Sequence, residues 1–311
     1  MSWCHRLTLT EEALLEIEFW HSEISSFNGQ HIWPRPSAVR VVYSDASSTG
    51  YGGYVVEHGN LIANGQWSPD DADKSSTWRE LRAVRLVLDS FQDKLRNERV
   101  RWFSDNQNVV RIVQCGSRQP YLQSEALSIF STCLRNNIRI EPEWIPRDEN
   151  ELADYFSRIV DYDDYRLHPA VFQWLDSVWG PHTVDRFANP TNAQIERFNS
   201  RFWTPGTDAV DAFTCSWAED NNWWFPPVYL IPRVIRYAQS LGARGTLIAP
   251  QWLSSPFWPL IFPNGVDPAE FVVGYLVLPS SKELILPGYL GASLFKGPPN
   301  TPVLAIRLEF Q

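Results

Sequence analysis

Val39-Arg40-Val41-Val42-Tyr43-Ser44-Asp45-Ala46-Ser47-Ser48-Thr49-Gly50-Tyr51-Gly52-Gly53-Tyr54-Val55 is the stretch that decides the fold. Val39–Asp45 is rich in β-branched residues and stops at an acid. A Ser/Thr/Gly loop follows, and the chain resumes as a second strand. Tyr51–Glu57 and Leu61–Trp67 read as a hairpin around His58-Gly59-Asn60. Beyond it, Thr77–Leu95 has helical periodicity, with Leu81, Val84, Leu88 and Phe91 on one face. Arg99–Ser104 reads as a strand, Gln107–Cys115 and Gln123–Asn136 as helices, Ile138–Trp144 as a strand and Asn150–Arg158 as a closing helix. This order predicts an α/β domain over residues 38–160, built on a mixed five-stranded sheet with flanking helices.

On the N-terminal side, residues 11–27 predict an amphipathic helix bearing Leu14, Leu15, Ile17, Phe19, Trp20 and Ile24, with Pro34 and Pro36 ending the pattern. Residues 1–37 are too short to fold alone and read as a connection. On the C-terminal side, residues 161–182 read as a polar linker with a short helix around Phe172–Val178. Residues 183–311 then begin a second α/β pattern. Its strands are Thr183–Ala188, Trp223–Phe225, Gly245–Ala249, Phe271–Leu278 and Val303–Phe310, and its helix is Tyr229–Leu241. That alternation predicts a small Rossmann-like sheet.

Composition narrows the chemistry. The chain has 311 residues, of which 44% are hydrophobic and 20% charged, so it can bury sizeable cores. Its net charge of −9 argues against binding nucleic acid by bulk charge alone. Residues 38–160 nevertheless carry 15 basic residues against 17 acidic ones, so neutralising four acids would leave that block net basic. The four cysteines form no C-x-x-C pair, which speaks against a zinc ribbon or a disulfide framework and for reduced thiols in an intracellular protein. Cytoplasm and nucleus are not distinguished. No apolar run approaches the ~20 residues of a membrane span.

Four acids of the first block stand at element ends: Asp45 after the first strand, Glu80 in the first turn of the main helix, Asp105 after the fourth strand and Asp154 on the closing helix. Gathered at one sheet edge they would repel each other unless divalent cations lay between them. An all-oxygen donor set suits Mg²⁺ or Mn²⁺. Two such ions roughly 3.5–4 Å apart can activate a water and stabilise a leaving 3′ oxygen in phosphodiester cleavage. Each acid also has an ordinary reading. Thr77-x-x-Glu80 is a capping box, Asp105 could be an N-cap, Asp154 could pair with Arg158 one turn on, and Asp45 could be a turn acid.

The ordered set resembles a known family. Tyr43-Ser44-Asp45-Ala46-Ser47 with Gly50 and Gly52, then Trp78-Arg79-Glu80-Leu81, Ser104-Asp105-Asn106, and Trp144-Ile145-Pro146-Arg147 with Asn150 and Ala153-Asp154-Tyr155-Phe156-Ser157-Arg158, is similar to the ribonuclease H domain of retroelement polyproteins. The resemblance implies Mg²⁺- or Mn²⁺-dependent cleavage of the RNA strand of an RNA–DNA hybrid, with two ions held by Asp45, Glu80, Asp105 and Asp154. The histidine loop of cellular enzymes of this class has no counterpart, since no histidine lies between Glu141 and Asp154. Ser47, Ser76, Arg79 and Asn106 flank the acids and are the candidate substrate-binding residues, with Arg82 and Arg85 as further phosphate contacts.

The C-terminal block resembles the phage-type DNA adenine methyltransferase domain over Val184-Asp185-Arg186-Phe187-Ala188, Asp211-Ala212-Phe213 and Trp223-Trp224-Phe225-Pro226-Pro227. S-adenosylmethionine is the cofactor this implies. Phe225 stands where that family has an acid or amide, and a phenyl ring cannot accept the hydrogen bond of an adenine amine, so the domain reads as degenerate. Tryptophans 223, 224, 252 and 258 read as core or as base-stacking groups. A ribonuclease H domain followed by such a module resembles the polyprotein order of DIRS-type (tyrosine-recombinase) retrotransposons, with the reverse transcriptase domain of the same polyprotein as partner. The competing readings are a catalytically silent binding module derived from a retroelement and an active adenine methyltransferase.

Overall fold

The computed structural model describes residues 8–27, 39–59, 61–288 and 301–310. It divides into two compact units, Met1–Ala38 and Val39–Gln311. In the first, helix α1 spans Glu11–Phe27, as its periodicity predicts. Cys4 and Asn60 lie outside the described residues.

The second unit opens with strands β1 (Val39–Ala46), β2 (Gly50–Val55) and β3 (Ile62–Gln66), a short helix α2 (Pro69–Ala72) and the long helix α3 (Ser76–Phe91). Strand β4 (Arg99–Ser104), helices α4 (Gln107–Cys115) and α5 (Pro120–Arg135), strand β5 (Arg139–Trp144) and helix α6 (Glu151–Ser157) complete the block. The sheet order is β3-β2-β1-β4-β5, antiparallel across β3, β2 and β1 and parallel across β1, β4 and β5. This is the mixed five-stranded sheet with flanking helices that the order of elements predicts. Its core is made by Val42, Val55, Leu81, Val84, Val87, Leu88, Val100 and Trp102, all at most 1% exposed. The apolar face of α3 lies on the sheet because its buried positions recur every three to four residues. Arg82 and Arg85 pair with the buried Glu125 of α5, so they fasten α3 to α5 and are not free to meet a phosphate.

The segment read as a linker carries its expected helix and, beyond that expectation, a strand and a buried face. Strand β6 (Tyr165–Leu167) and helix α7 (Pro169–Trp179) lie within it, and Tyr165, Leu167, Phe172 and Leu175 are buried. These four side chains face one core, while Tyr162 and Trp174 are exposed. Asp164, in the segment read as a polar linker, is 4% exposed and accepts hydrogen bonds from Asn189 and Asn192.

The remaining elements are β7 (Val184–Asp185), β8 (Asn199–Ser200), β9 (Ala209–Val210), β10 (Asn221–Trp224), α8 (Ile231–Ser240), β11 (Arg244–Pro250), α9 (Trp258–Ile261), β12 (Val272–Val277), β13 (Ile285–Pro287) and β14 (Val303–Glu309). They form a second five-stranded sheet in the order β12-β14-β11-β10-β7. Strands β7, β10 and β11 are parallel, and β14 runs against both β11 and β12. Trp223, Trp224 and Trp258 are core residues, at 1%, 0% and 6% exposed.

The C-terminal half also covers the outer edge of the first sheet. Trp203 N–H donates to the Ile62 carbonyl at 2.9 Å, its own carbonyl accepts from Asn64 N–H at 3.4 Å, and its ring packs against the first core under Lys94. A bare β3 edge would offer unpaired backbone groups to other chains. Trp203→Ala should therefore lower the unfolding free energy by about 2–3 kcal/mol, below the range for a fully buried tryptophan because the ring is only half-buried. Urea denaturation measures this, and an unchanged midpoint would show that the contact carries no stability.

Candidate active site

Asp45 ends β1, in register with Gly52 of β2. It is 4% exposed, and its Oδ2 accepts the Ser157 hydroxyl at 2.7 Å. Glu80 points from the first turns of α3 and is 7% exposed. The cap of that helix is Ser75, whose side chain accepts from Trp78 N–H. The expected Thr77-x-x-Glu80 capping box does not form, which leaves the Glu80 carboxylate to the site. Asp105 follows β4 and is half-buried. The cap of α4 is the next residue, Asn106, whose Oδ1 accepts from Asn108 and Val109.

One oxygen from each of Asp45, Glu80 and Asp105 falls within 4.8 Å of the others. Asp154 lines the same cavity of about 490 Å³, together with Ser47, Ser76, Arg79, Arg147 and Arg158. Its carboxylate is held by arginines. Arg158 donates twice at 2.7 Å, and Arg147 donates once at 3.3 Å. The expected helical pair with Arg158 forms, and the acid still faces the other three.

The packing of α6 against the sheet creates this convergence. A Cβ on Gly52 would lie 2.3 Å from the Ser157 nitrogen and 2.5 Å from the Phe156 carbonyl carbon, so only glycine lets the helix backbone come this close. Asn64 Nδ2 donates to the Phe156 carbonyl at 2.7 Å. Asn150 Nδ2, from the residue that opens α6, donates to the Ser44 carbonyl at 3.1 Å. Ser47 bonds the Ser157 carbonyl through its hydroxyl at 2.6 Å, and its own carbonyl accepts from Arg79 Nη1 at 2.8 Å and from Trp67.

Ser47 and Arg79 therefore fix the loop after β1, while Ser76 lines the cavity wall. Asn106 caps α4 and is not among the cavity-lining residues. Sequence reasoning did not single out Asn150, Ser157, Arg147 or Arg158 as site residues. All four lie in the quoted motifs, but nothing local indicates which atoms they reach.

The electrostatics follow from burial of like charges. Desolvation, with Asp45 and Asp105 adding repulsion, pushes the Glu80 carboxyl up to about 9. Asp45 is pushed up to about 6 by desolvation, against the bond from Ser157, with Asp105 and Asp154 raising it further. Asp105 is raised by the same burial, while hydrogen bonds from Arg158 hold Asp154 below the usual carboxylate range. Three carboxylates crowded this closely are a donor set suited to a hard divalent ion.

Elsewhere, Asp185 at the end of β7 is buried and pushed up to about 7 by desolvation, and Asp211 caps a short turn through its bond from Phe213 N–H. Cys115, Cys133 and Cys215 are free thiols, and no helix among the described residues is long and apolar enough to cross a membrane.

No protein-family model and no curated protein matches this chain. Solved structures similar to it include the N-terminal ribonuclease H domain of Rv2228c from Mycobacterium tuberculosis, at 19% identity and a TM-score of 0.33, covering 39% of this chain and 91% of that one. Ribonuclease H1 of Halobacterium salinarum NRC-1 is 16% identical with a TM-score of 0.33, covering 38% of this chain and 94% of that one. LC11-RNase H1, isolated from compost and solved in complex with an RNA/DNA hybrid, is 23% identical with a TM-score of 0.29, covering 38% and 92%.

Proposed function

We propose that residues 38–160 are a divalent-metal-dependent ribonuclease H that cuts the RNA strand of RNA–DNA hybrids during retroelement reverse transcription. The observation that carries this reading is the meeting of Asp45, Glu80 and Asp105, from three separate elements, within 4.8 Å in a cavity that Asp154 also lines. A silent binding module would have no use for this buried repulsion. Asp45, Glu80 and Asp105 would hold Mg²⁺ or Mn²⁺, which when bound activates the attacking water and stabilises the departing 3′ oxygen. The chain's own residues prepare the site. Ser157 orients Asp45, Arg79 fixes the Ser47 carbonyl, and Glu80 gives up its proton when a cation is loaded. Recognition of the hybrid would use short polar groups such as Ser47 and Ser76 beside the cavity, reading 2′-hydroxyls and phosphates. The reverse transcriptase domain of the same polyprotein is the expected partner.

The test is cleavage of an end-labelled RNA–DNA hybrid in Mg²⁺. The parent should cut the RNA strand, and Asp105→Asn should reduce the rate by at least ~10²-fold. Equal cutting by both would reject the assignment.

For residues 183–311 the reading is a methyltransferase-like module that has lost its chemistry. Open α/β sheets bind ligands beyond the carboxyl ends of their parallel strands. Beyond β10 that space is taken by the protein itself. Phe225 lies 4.8 Å, centroid to centroid, from the buried Tyr165 ring, and the Tyr165 hydroxyl donates to the Pro226 carbonyl at 2.9 Å. Neither S-adenosylmethionine binding nor adenine methylation is expected of it.

A further inference from the structure

Among the four acids of the cavity, Asp154 stands apart. Asp45, Glu80 and Asp105 group their oxygens without it, while its own oxygens are taken by Arg147 from the turn after β5 and Arg158 from the end of α6. Both guanidinium groups lie at the mouth of the cavity, with side chains 73% and 55% exposed. An ion pair this open to water is weakly held, so a better anion can displace the carboxylate. A phosphodiester oxygen pair fits a guanidinium fork as well as a carboxylate does.

The charge of the cavity favours that exchange. Four acids and three arginines line it. A divalent cation on the three grouped carboxylates turns the balance positive, which attracts a polyanion. Arg79, the third arginine, is not part of this latch, and its Nη1 donates to the Ser47 carbonyl.

We propose that Arg147 and Arg158 are phosphate-binding residues latched onto Asp154 in the free protein. A nucleic-acid phosphodiester entering the cavity takes them over and releases Asp154 toward the metal-binding carboxylates. Loading of nucleic acid and completion of the acid set are then coupled, so the fourth carboxylate is delivered when substrate arrives. No bond is made or broken in this step; one ion pair replaces another. The proposal rests on the ribonuclease H reading, and its test separates the two.

The probe is a fluorescently labelled RNA–DNA hybrid, with affinity read by anisotropy in EDTA, where cleavage cannot intervene. Asp154→Asn frees both arginines and should bind the hybrid about fivefold to tenfold tighter than the parent. Asp45→Asn removes the same unit of charge from the same cavity but leaves the latch closed, and should gain no more than about twofold. Adding Arg147→Ala and Arg158→Ala together to Asp154→Asn should abolish the gain.

Equal gains from Asp154→Asn and Asp45→Asn would mean that charge alone is read, and would overturn the exchange. So would a gain that survives the loss of both arginines. A parent that cuts the hybrid while Asp154→Asn gains nothing sinks the exchange and leaves the nuclease standing. A parent that neither binds nor cuts the hybrid in Mg²⁺ overturns both.

Discussion

Glu80→Gln should abolish the proposed hybrid cleavage, by about 10²-fold or more, and at the same time stabilise the metal-free protein. The two effects have one cause. Glu80 is buried beside Asp45 and Asp105, and its folded-state carboxyl is pushed from 4.5 up to about 9. A raised acid binds its proton more tightly in the folded state. Its contribution is therefore intact below about pH 4.5 and is lost progressively as pH climbs toward about 9. Asp45 acts with the same sign over a narrower window, from 3.8 to about 6. At about 1.4 kcal/mol per unit, the Glu80 term amounts to a few kcal/mol at pH 8.

Thermal melts in EDTA from pH 5 to 9 should show the parent falling with pH more steeply than Glu80→Gln. Mg²⁺ should restore the parent increasingly as pH rises, because only the ionised carboxylates hold it, and should do little for the variant. Parallel pH profiles for the two proteins would show that Glu80 is not the strained member of the group.

Gly52→Ala should be the most damaging single methyl that can be added near the site. The new carbon would overlap the backbone of α6 at Ser157 and Phe156, where no side chain can swing aside. The helix must move outward, taking Ser157 from Asp45 and Asp154 from the cavity. A loss on the order of 3 kcal/mol in unfolding free energy is expected, at the upper end for overpacking, together with loss of cleavage. Gly59→Ala is the matched control, since a Cβ there meets nothing within 4 Å. Urea unfolding and the cleavage assay measure both effects. A Gly52→Ala protein that is as stable and active as the control would refute the close packing of α6.

Much of this protein was legible along the chain. The strands at 99–104 and the helices at 11–27 and 107–115 carry their periodicity and end signals locally, and they form within those bounds. The acids after β1 and β4 were visible because strand ends are marked by the switch from apolar to polar residues. Other features were not. Cap identity depends on backbone geometry one or two residues either side, so Ser75 and Asn106 rather than Thr77 and Asp105 hold the helix starts. The strand at residues 165–167 depended on β13, more than a hundred residues on, which pairs with it.

Sequence by itself determined the alternation of elements and the residue types of the acid set, because each is a property of a few neighbouring residues. Tertiary structure alone decided that three of the acids share one small volume while the fourth is held by two arginines, that Trp203 closes the edge of the first sheet, and that Tyr165 fills the space beyond β10. These depend on distances between segments brought together by burial of apolar faces, and spacing along the chain does not encode such distances.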